Sequence, residues 1–316
     1  MTDRRPILDD QGVIQDKEAL TANIEQNEAY VKQQFQRCSD LICRSIRPDG
    51  VSPKWLIVYL ETLVDEQKVS DLILKPLTAN QPNRSLEAWD NESLPVSQKI
   101  TSSKWADITK WMLRGYAVVF TAGEESAVCF AVNKSVHRSI EDPSSEPSIR
   151  GPKEGFVERQ SVNVALLRNY IRSTRLKTEA FTVGEITETK VLLSYIDGLA
   201  DDSVVDHVRK KIAAIRIDGV LESGYIEEQI RNTPFPIFPQ VQITERPDVV
   251  AGGLLEGRVA ILVDNTPFVM IVPITFWTGM QASEDYYLRY PVATFTRLIR
   301  FIFLFIAIFA PHCLLR

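Results

Sequence analysis

The sequence predicts an α/β fold: two small α/β subdomains forming a distant internal repeat, preceded by an amphipathic helical segment and followed by an incomplete transmembrane helix. Three observations predict it. Strand-like runs joined by short turns recur in each half, an octapeptide recurs with them, and the last apolar run has no polar face.

Residues 17–46 are polar with larger side chains at Leu20, Ile24, Val31, Phe35, Cys38 and Ile42. This three-to-four spacing predicts one or two amphipathic helices, ended by the turn signal Arg47-Pro48-Asp49-Gly50. Residues 54–60 form an apolar run of strand length, and helices are expected over 65–75 and 102–113. Gly115 then leads into strands 116–121 and 127–132, a hairpin turning at 122–125.

The acidic, Pro/Ser-rich stretch 141–148 marks a boundary between subdomains. Beyond it the pattern predicts a helix over 156–172, strands near 176–183 and 190–196, and helices over 201–216 and 222–231. A second hairpin joins 257–263 to 268–272. The expected domains are therefore 1–50, helical; 51–142 and 143–290, the α/β subdomains; and 291–316, the incomplete membrane helix.

Residues 59–66, YLETLVDE, align with 195–202, YIDGLADD. Tyr59, Leu63 and Asp65 match Tyr195, Leu199 and Asp201, and each copy reads as strand then helix. Coincidence over eight positions is the competing reading; the shared order of elements, with Gly115 and Gly257 each preceding a hairpin, favours a repeat.

Length and composition bound the function. At 316 residues, with 45% hydrophobic and 24% charged side chains, the chain can build ordinary cores. A net charge of -5 with lysine and arginine dispersed among acids argues against nucleic-acid binding. Cys38, Cys43, Cys129 and Cys313 form no C-x-x-C pair and suit a reducing compartment. The first fifteen residues carry both signs of charge and no apolar core of a secretory signal.

Residues 301–310, FIFLFIAIFA, follow Arg297 and Arg300. Ten residues cover about half of a hydrocarbon core about 30 Å thick, so a buried core helix is one reading. The absence of a polar face and the flanking arginines favour a membrane helix held with its preceding loop on the cytoplasmic side. An anchor lying in the interface needs a polar face that this run lacks.

Signals for catalysis are weak. The glycines in residues 251–257, AGGLLEG, have no lysine and precede a strand, so a turn is expected rather than a phosphate loop. His137, His207 and His312 are scattered, and no nucleophile signature is present. Asp65 and Asp201 are expected to cap helices. No cofactor and no metal site is expected.

Three stretches are too idiosyncratic for plain connections: Arg150-Gly151-Pro152 with Gly155-Phe156; the extended segment holding Pro234, Pro236 and Pro239; and the aromatic approach to the tail, with Trp277, Asp285, Tyr286 and Tyr287. An interface suits those aromatics, and core packing is the competing reading. Residues 149–172, residues 232–273, which include Asp264 and Pro273, and residues 283–290 resemble the A subunit of the GerA family of spore germination receptors.

The resemblance implies a receptor component in the inner membrane of a bacterial endospore, its large domain on the cytosolic side, that triggers germination. It implies a transporter-like B subunit and a lipoprotein C subunit as partners, and homo-oligomerisation of the full-length form. It carries over no catalytic residue. The family continues into a membrane domain, so this sequence is expected to be truncated within its first membrane helix, as a fragment or a frameshifted product. The alternatives are a soluble α/β enzyme or small-ligand-binding protein with a buried C-terminal helix, or an inactive fragment.

Overall fold

The computed structural model describes residues 19–47, 54–79, 99–134, 152–231, 240–274 and 290–314. The chain divides into two compact units: unit 1 holds Met1–Gln34 and Leu41–Lys134, and unit 2 holds Phe35–Asp40 and Ser135–Arg316.

In unit 1, helix α1 (Ile24–Gln34) precedes strands β1 (Leu41–Ile46) and β2 (Trp55–Leu60). Next come α2 (Glu66–Val69), a π-helical stretch (Ser70–Leu74), α3 (Lys75–Ala79), β3 (Lys99–Ser102), α4 (Trp105–Met112), β4 (Tyr116–Thr121) and β5 (Ala127–Ala131). Unit 2 runs α5 (Gln160–Tyr170), β6 (Leu176–Val183), β7 (Thr189–Ile196), α6 (Asp202–Ala214) and α7 (Ser223–Ile230). It continues with β8 (Gln242–Thr244), α8 (Pro247–Leu255), β9 (Val259–Val263), β10 (Val269–Val272) and α9 (Tyr290–Leu314).

Each unit has one five-stranded sheet, ordered β1-β2-β4-β5-β3 and β6-β7-β9-β10-β8. Every strand pairing is antiparallel in both. The two orders are the same when β1 is set on β6 and each later strand on its successor, so the repeat holds at the level of topology. Register agrees as well: Leu56 opposes Phe120 on β4, and Leu192 opposes Leu262 on β9.

Helices cover both faces of each sheet, which is why central strands such as Trp55–Leu60 are buried at every position rather than at alternate ones. In unit 2, Val191, Leu193, Tyr195 and Ile261 pack against α6 and α7 through Val205, Val208 and Ile226. The opposite face, with Leu192, Ala260 and Leu262, packs against α5 and α8 through Leu166, Leu167, Val250 and Leu254. In unit 1, Ile57, Tyr59 and Val119 pack against Val69, Ile73 and Leu77.

The differences from expectation have local causes. The amphipathic spacing over 17–46 does not stay helical: α1 ends at Gln34, Arg37 adopts φ 61°, and Leu41–Ile46 pairs along its whole length with β2. The short edge strands β3 and β8 lack an apolar run that would announce them. The glycines of 251–257 were expected in a turn, but residues 251–255 complete α8, which Pro247 starts at a position where its missing N–H costs nothing. Only Glu256 and Gly257 form the turn, where the N–H of Gly257 donates to the carbonyl of Leu254. The predicted caps are present: Asp65 accepts from the N–H of Gln67 and Lys68, and Asp201 from that of Ser203.

Candidate functional site

The motif segment before α5 folds against the β9–β10 turn of unit 2. The Phe156 N–H donates to the Glu245 carbonyl at 2.7 Å, and its ring is buried in the core beneath α5 and α8. Asn265, at φ 70°, donates its N–H to the Glu158 carbonyl at 2.9 Å. Asp264 reaches the start of α5, where its Oδ1 accepts the Gln160 N–H at 3.2 Å. Arg159, the residue in the capping position, makes no side-chain cap, so a carboxylate 104 residues away in sequence serves the helix N-terminus instead.

Two buried amides complete the arrangement. Gln160 Nε2 donates to the carbonyls of Lys190 and Leu262 at 3.2 and 3.0 Å. Asn163 brackets Val157, accepting its N–H at 2.9 Å and donating to its carbonyl at 2.6 Å. Unit 1 repeats this framework: Asn27 accepts the Thr21 N–H and donates to the Thr21 carbonyl, at 3.2 and 2.7 Å. Leu20 donates to Ser103 as Phe156 does to Glu245, and Gly123 donates to Ala22 as Asn265 does to Glu158. The geometry holds the backbone in place.

Unit 2 differs from unit 1 in its buried charge. Arg168 on α5 has a side chain with 0% exposure and grips Asp40 in a bidentate pair, Nε to Oδ2 at 2.5 Å and Nη2 to Oδ1 at 2.6 Å. Thr178 Oγ1 adds a hydrogen bond to Asp40 at 3.3 Å. Cys38, in the same Phe35–Asp40 segment, bridges Thr178 in parallel. A second cluster lies on β6, β7 and α6. Glu179 accepts two hydrogen bonds from Arg209 at 2.7 Å and one from the Tyr195 hydroxyl at 2.6 Å, while Arg37 donates to that hydroxyl at 3.1 Å. Tyr59, which holds the equivalent place in unit 1, has a buried hydroxyl with no partner among the described residues. A third pair joins Arg246 to Asp248 at 2.7 Å, with both side chains buried.

Burial pushes the Cys129 thiol up to about 12 and Cys43 up to about 11, so both are protonated at neutral pH. Burial also raises Cys38, and neighbouring Arg168 offsets only part of that. Thiolate chemistry is therefore not prepared at these cysteines. Among the described residues, no three His, Cys, Asp or Glu side chains converge on a metal position.

Helix α9 presents exposed Phe295, Leu298, Ile302, Phe303, Phe305 and Ile306. Only 6% of its apolar stretch Tyr290–Ala307 is buried. The alternative reading, a C-terminal helix buried in the fold, does not match this exposure.

The profile of the Bacillus/Clostridium GerA spore germination protein family matches residues 29–315. The chain belongs to the GerA family. This GerA-family chain is 41% identical over 295 residues to the uncharacterized membrane protein YfkQ of Bacillus subtilis, covering 92% of the chain and 57% of that protein. It is 36% identical over 296 residues to spore germination protein KA of Bacillus subtilis, covering 92% and 54%. Thus it spans a little over half the length of these curated relatives. The crystal structure of the N-terminal domain of the A subunit of the Bacillus megaterium spore germinant receptor GerK3 superposes with a TM-score of 0.63 at 32% identity, covering 82% of this chain and 97% of that one.

Of the motif residues read from the GerA resemblance, Pro152, Gly155, Phe156 and Asp264 lie in unit 2, where Phe156 bonds to Glu245 and Asp264 to Gln160. Pro273 follows β10, where the lack of an N–H ends the ladder. Arg297 and Arg300 lie on α9. Arg150, Gly151, Pro234, Pro236, Pro239, Trp277, Asp285, Tyr286 and Tyr287 lie outside the described residues. Sequence reasoning missed Asn27, Asn163, Asp40 and Arg168. Asn27 and Asn163 carry a usable signal, since they stand in the same relation as Tyr59 and Tyr195. Nothing in sequence pairs Asp40 with Arg168.

Proposed function

We propose that this chain is the cytosolic front of a germinant-receptor A subunit in the spore inner membrane, and that α9 begins its membrane domain. The reading adds a transporter-like B subunit and a lipoprotein C subunit as partners, and a homo-oligomeric full-length form. The domain acts in assembly and signalling and performs no catalysis. Signals pass from unit 2 through residues 275–289 into α9.

The observation that carries this reading is the exposure of α9. Leaving a large apolar side chain in water rather than burying it forgoes about 1.5–3 kcal/mol, and α9 exposes several. From Arg300 to Leu314 α9 rises about 21 Å at about 1.5 Å per residue, about two thirds of a hydrocarbon core about 30 Å thick, which suits the start of a membrane span. Thr294 and Thr296 donate their hydroxyls back to the helix carbonyls of Tyr290 and Val292 at 2.9 and 3.1 Å, leaving little polar demand on the surroundings. Arg297 and Arg300 suit the headgroup level on the cytosolic side.

Membrane fractionation tests the reading. The chain should stay in the membrane pellet through high salt and be released by detergent, and removal of residues 290–316 should free it. A cysteine placed at exposed Ile186, in a background without the native cysteines, should react with an impermeant maleimide only after the membrane is opened to the cytosolic side. Recovery of the intact chain without detergent would overturn the membrane reading, and labelling from the outer face would overturn the orientation.

A further inference from the structure

The two units treat one repeated corner differently. In unit 1, residues 132–134 leave β5 and lie antiparallel to residues 63–65, with Asn133 bridging Val64. The Asp65 N–H donates to Val132 at 2.8 Å, and the Lys134 N–H donates to Leu63 at 2.9 Å. In the same unit Leu63 and Leu113 are 7% and 8% exposed. Their equivalents in unit 2 are Leu199 and Leu255. Leu255 stands two residues before Gly257, as Leu113 stands two before Gly115, and each glycine abuts the carbonyl of the matching leucine.

Among the described residues, that corner is open in unit 2. Pro273 takes the place of Ala131 and ends the strand, and neither the Asp201 N–H nor the Leu199 carbonyl has a backbone partner among the described residues. Leu199 and Leu255 are 46% and 60% exposed. Two apolar side chains flank an unpaired donor and acceptor, the combination that accepts an added strand. The surrounding charge is acidic: Asp197, Asp201, Asp202 and Glu256 are exposed. Of the nearby arginines, Arg175 donates to the Asp197 carbonyl and Arg258 pairs with Glu256.

We propose that residues 199–201 of unit 2, with Leu255, form a docking edge for an extended segment of a partner protein that combines an apolar residue with a basic one. Unit 1 shows the mode, since its covering segment is Val132-Asn133-Lys134. The partner's carbonyl accepts the Asp201 N–H, its N–H donates to Leu199, its apolar side chain covers the two leucines, and its basic side chain meets the carboxylates. The inference rests on the repeat and is independent of the receptor reading.

The test uses the 316-residue chain in detergent micelles and a synthetic peptide reproducing residues 130–134. Amide exchange of Asp201, followed by NMR, should slow at least about tenfold at saturating peptide. Leu199→Asp and Leu255→Asp should each weaken binding about tenfold or more, while Ile186→Asp, exposed elsewhere, leaves it unchanged. Replacing the peptide lysine by glutamate should weaken binding several-fold at low salt. Because both leucines are exposed, the variants should keep the wild-type melting temperature. The proposal is overturned if Asp201 exchange does not respond to peptide, if Leu255→Asp responds as wild type does, or if Asp201 is already protected without peptide, meaning the chain covers the edge itself.

Discussion

Asp40 and Arg168 are 128 positions apart, yet they meet as a bidentate ion pair in which the arginine is wholly buried. Asp40→Ala should leave that guanidinium without its counter-charge, lowering stability by about 3–5 kcal/mol. Chemical denaturation of the wild type, both single variants and the double variant checks this. Coupling between the two sites near zero would show that the pair contributes nothing beyond each residue alone.

Gly257 has φ 84°, and a Cβ there would stand 2.6 Å from the Leu199 carbonyl oxygen. Gly257→Ala should therefore cost about 2 kcal/mol or more, from the left-handed backbone and the backbone contact together. Gly252, in helical conformation with open space around its Cβ position, is the control. Gly252→Ala should raise stability by about 0.4–1 kcal/mol. Thermal melts of the two variants should move in opposite directions.

Asp264 caps the N-terminus of α5 from 104 positions away in sequence. Asp264→Ala should cost about 0.5–2 kcal/mol, and Asp264→Asn should recover most of it, because an amide oxygen can still accept the Gln160 N–H. Equal loss in both variants would mean that charge rather than the acceptor matters.

The Glu179–Tyr195 cluster gives stability a pH dependence at both ends. Burial pushes Glu179 upward, but hydrogen bonds from Arg209 and Tyr195 prevail and hold it below the usual carboxylate range. Its stabilisation is present above the ordinary carboxylate value and is lost as pH falls through the lowered folded value. Tyr195 is pushed up to about 12, first by burial and then by its bond to Glu179. Its contribution is full below an ordinary tyrosine value of about 10 and disappears as pH rises toward about 12. Glu179→Gln should flatten the acid limb of a stability profile, and Tyr195→Phe the alkaline limb.

Hairpin strands β4–β5 and β9–β10 were legible because each is an apolar run bounded by turn residues, a signal that needs no partner. The same holds for the caps Asp65 and Asp201, whose hydrogen bonds are local. Strand β1 was not legible: Cys38 and Ile42 fit a helical spacing, and only pairing with β2 selects the extended form. Helix α8 was hidden by Gly252 and Gly253, whose weak helix propensity is overridden by burial of Val250, Ala251 and Leu254.

The sequence by itself determined the two hairpins, the octapeptide repeat and an apolar run without a polar face, because these depend on order and periodicity along the chain. Tertiary structure alone decided that the halves share one strand order, that Asp40 finds Arg168, and that Leu199 and Leu255 stay open where Leu63 and Leu113 are covered. The physical reason is distance along the chain. A buried charge or an uncovered backbone edge is defined by what arrives from far away in sequence, and α9 is recognised as unburied only when the rest of the fold has been assembled without it.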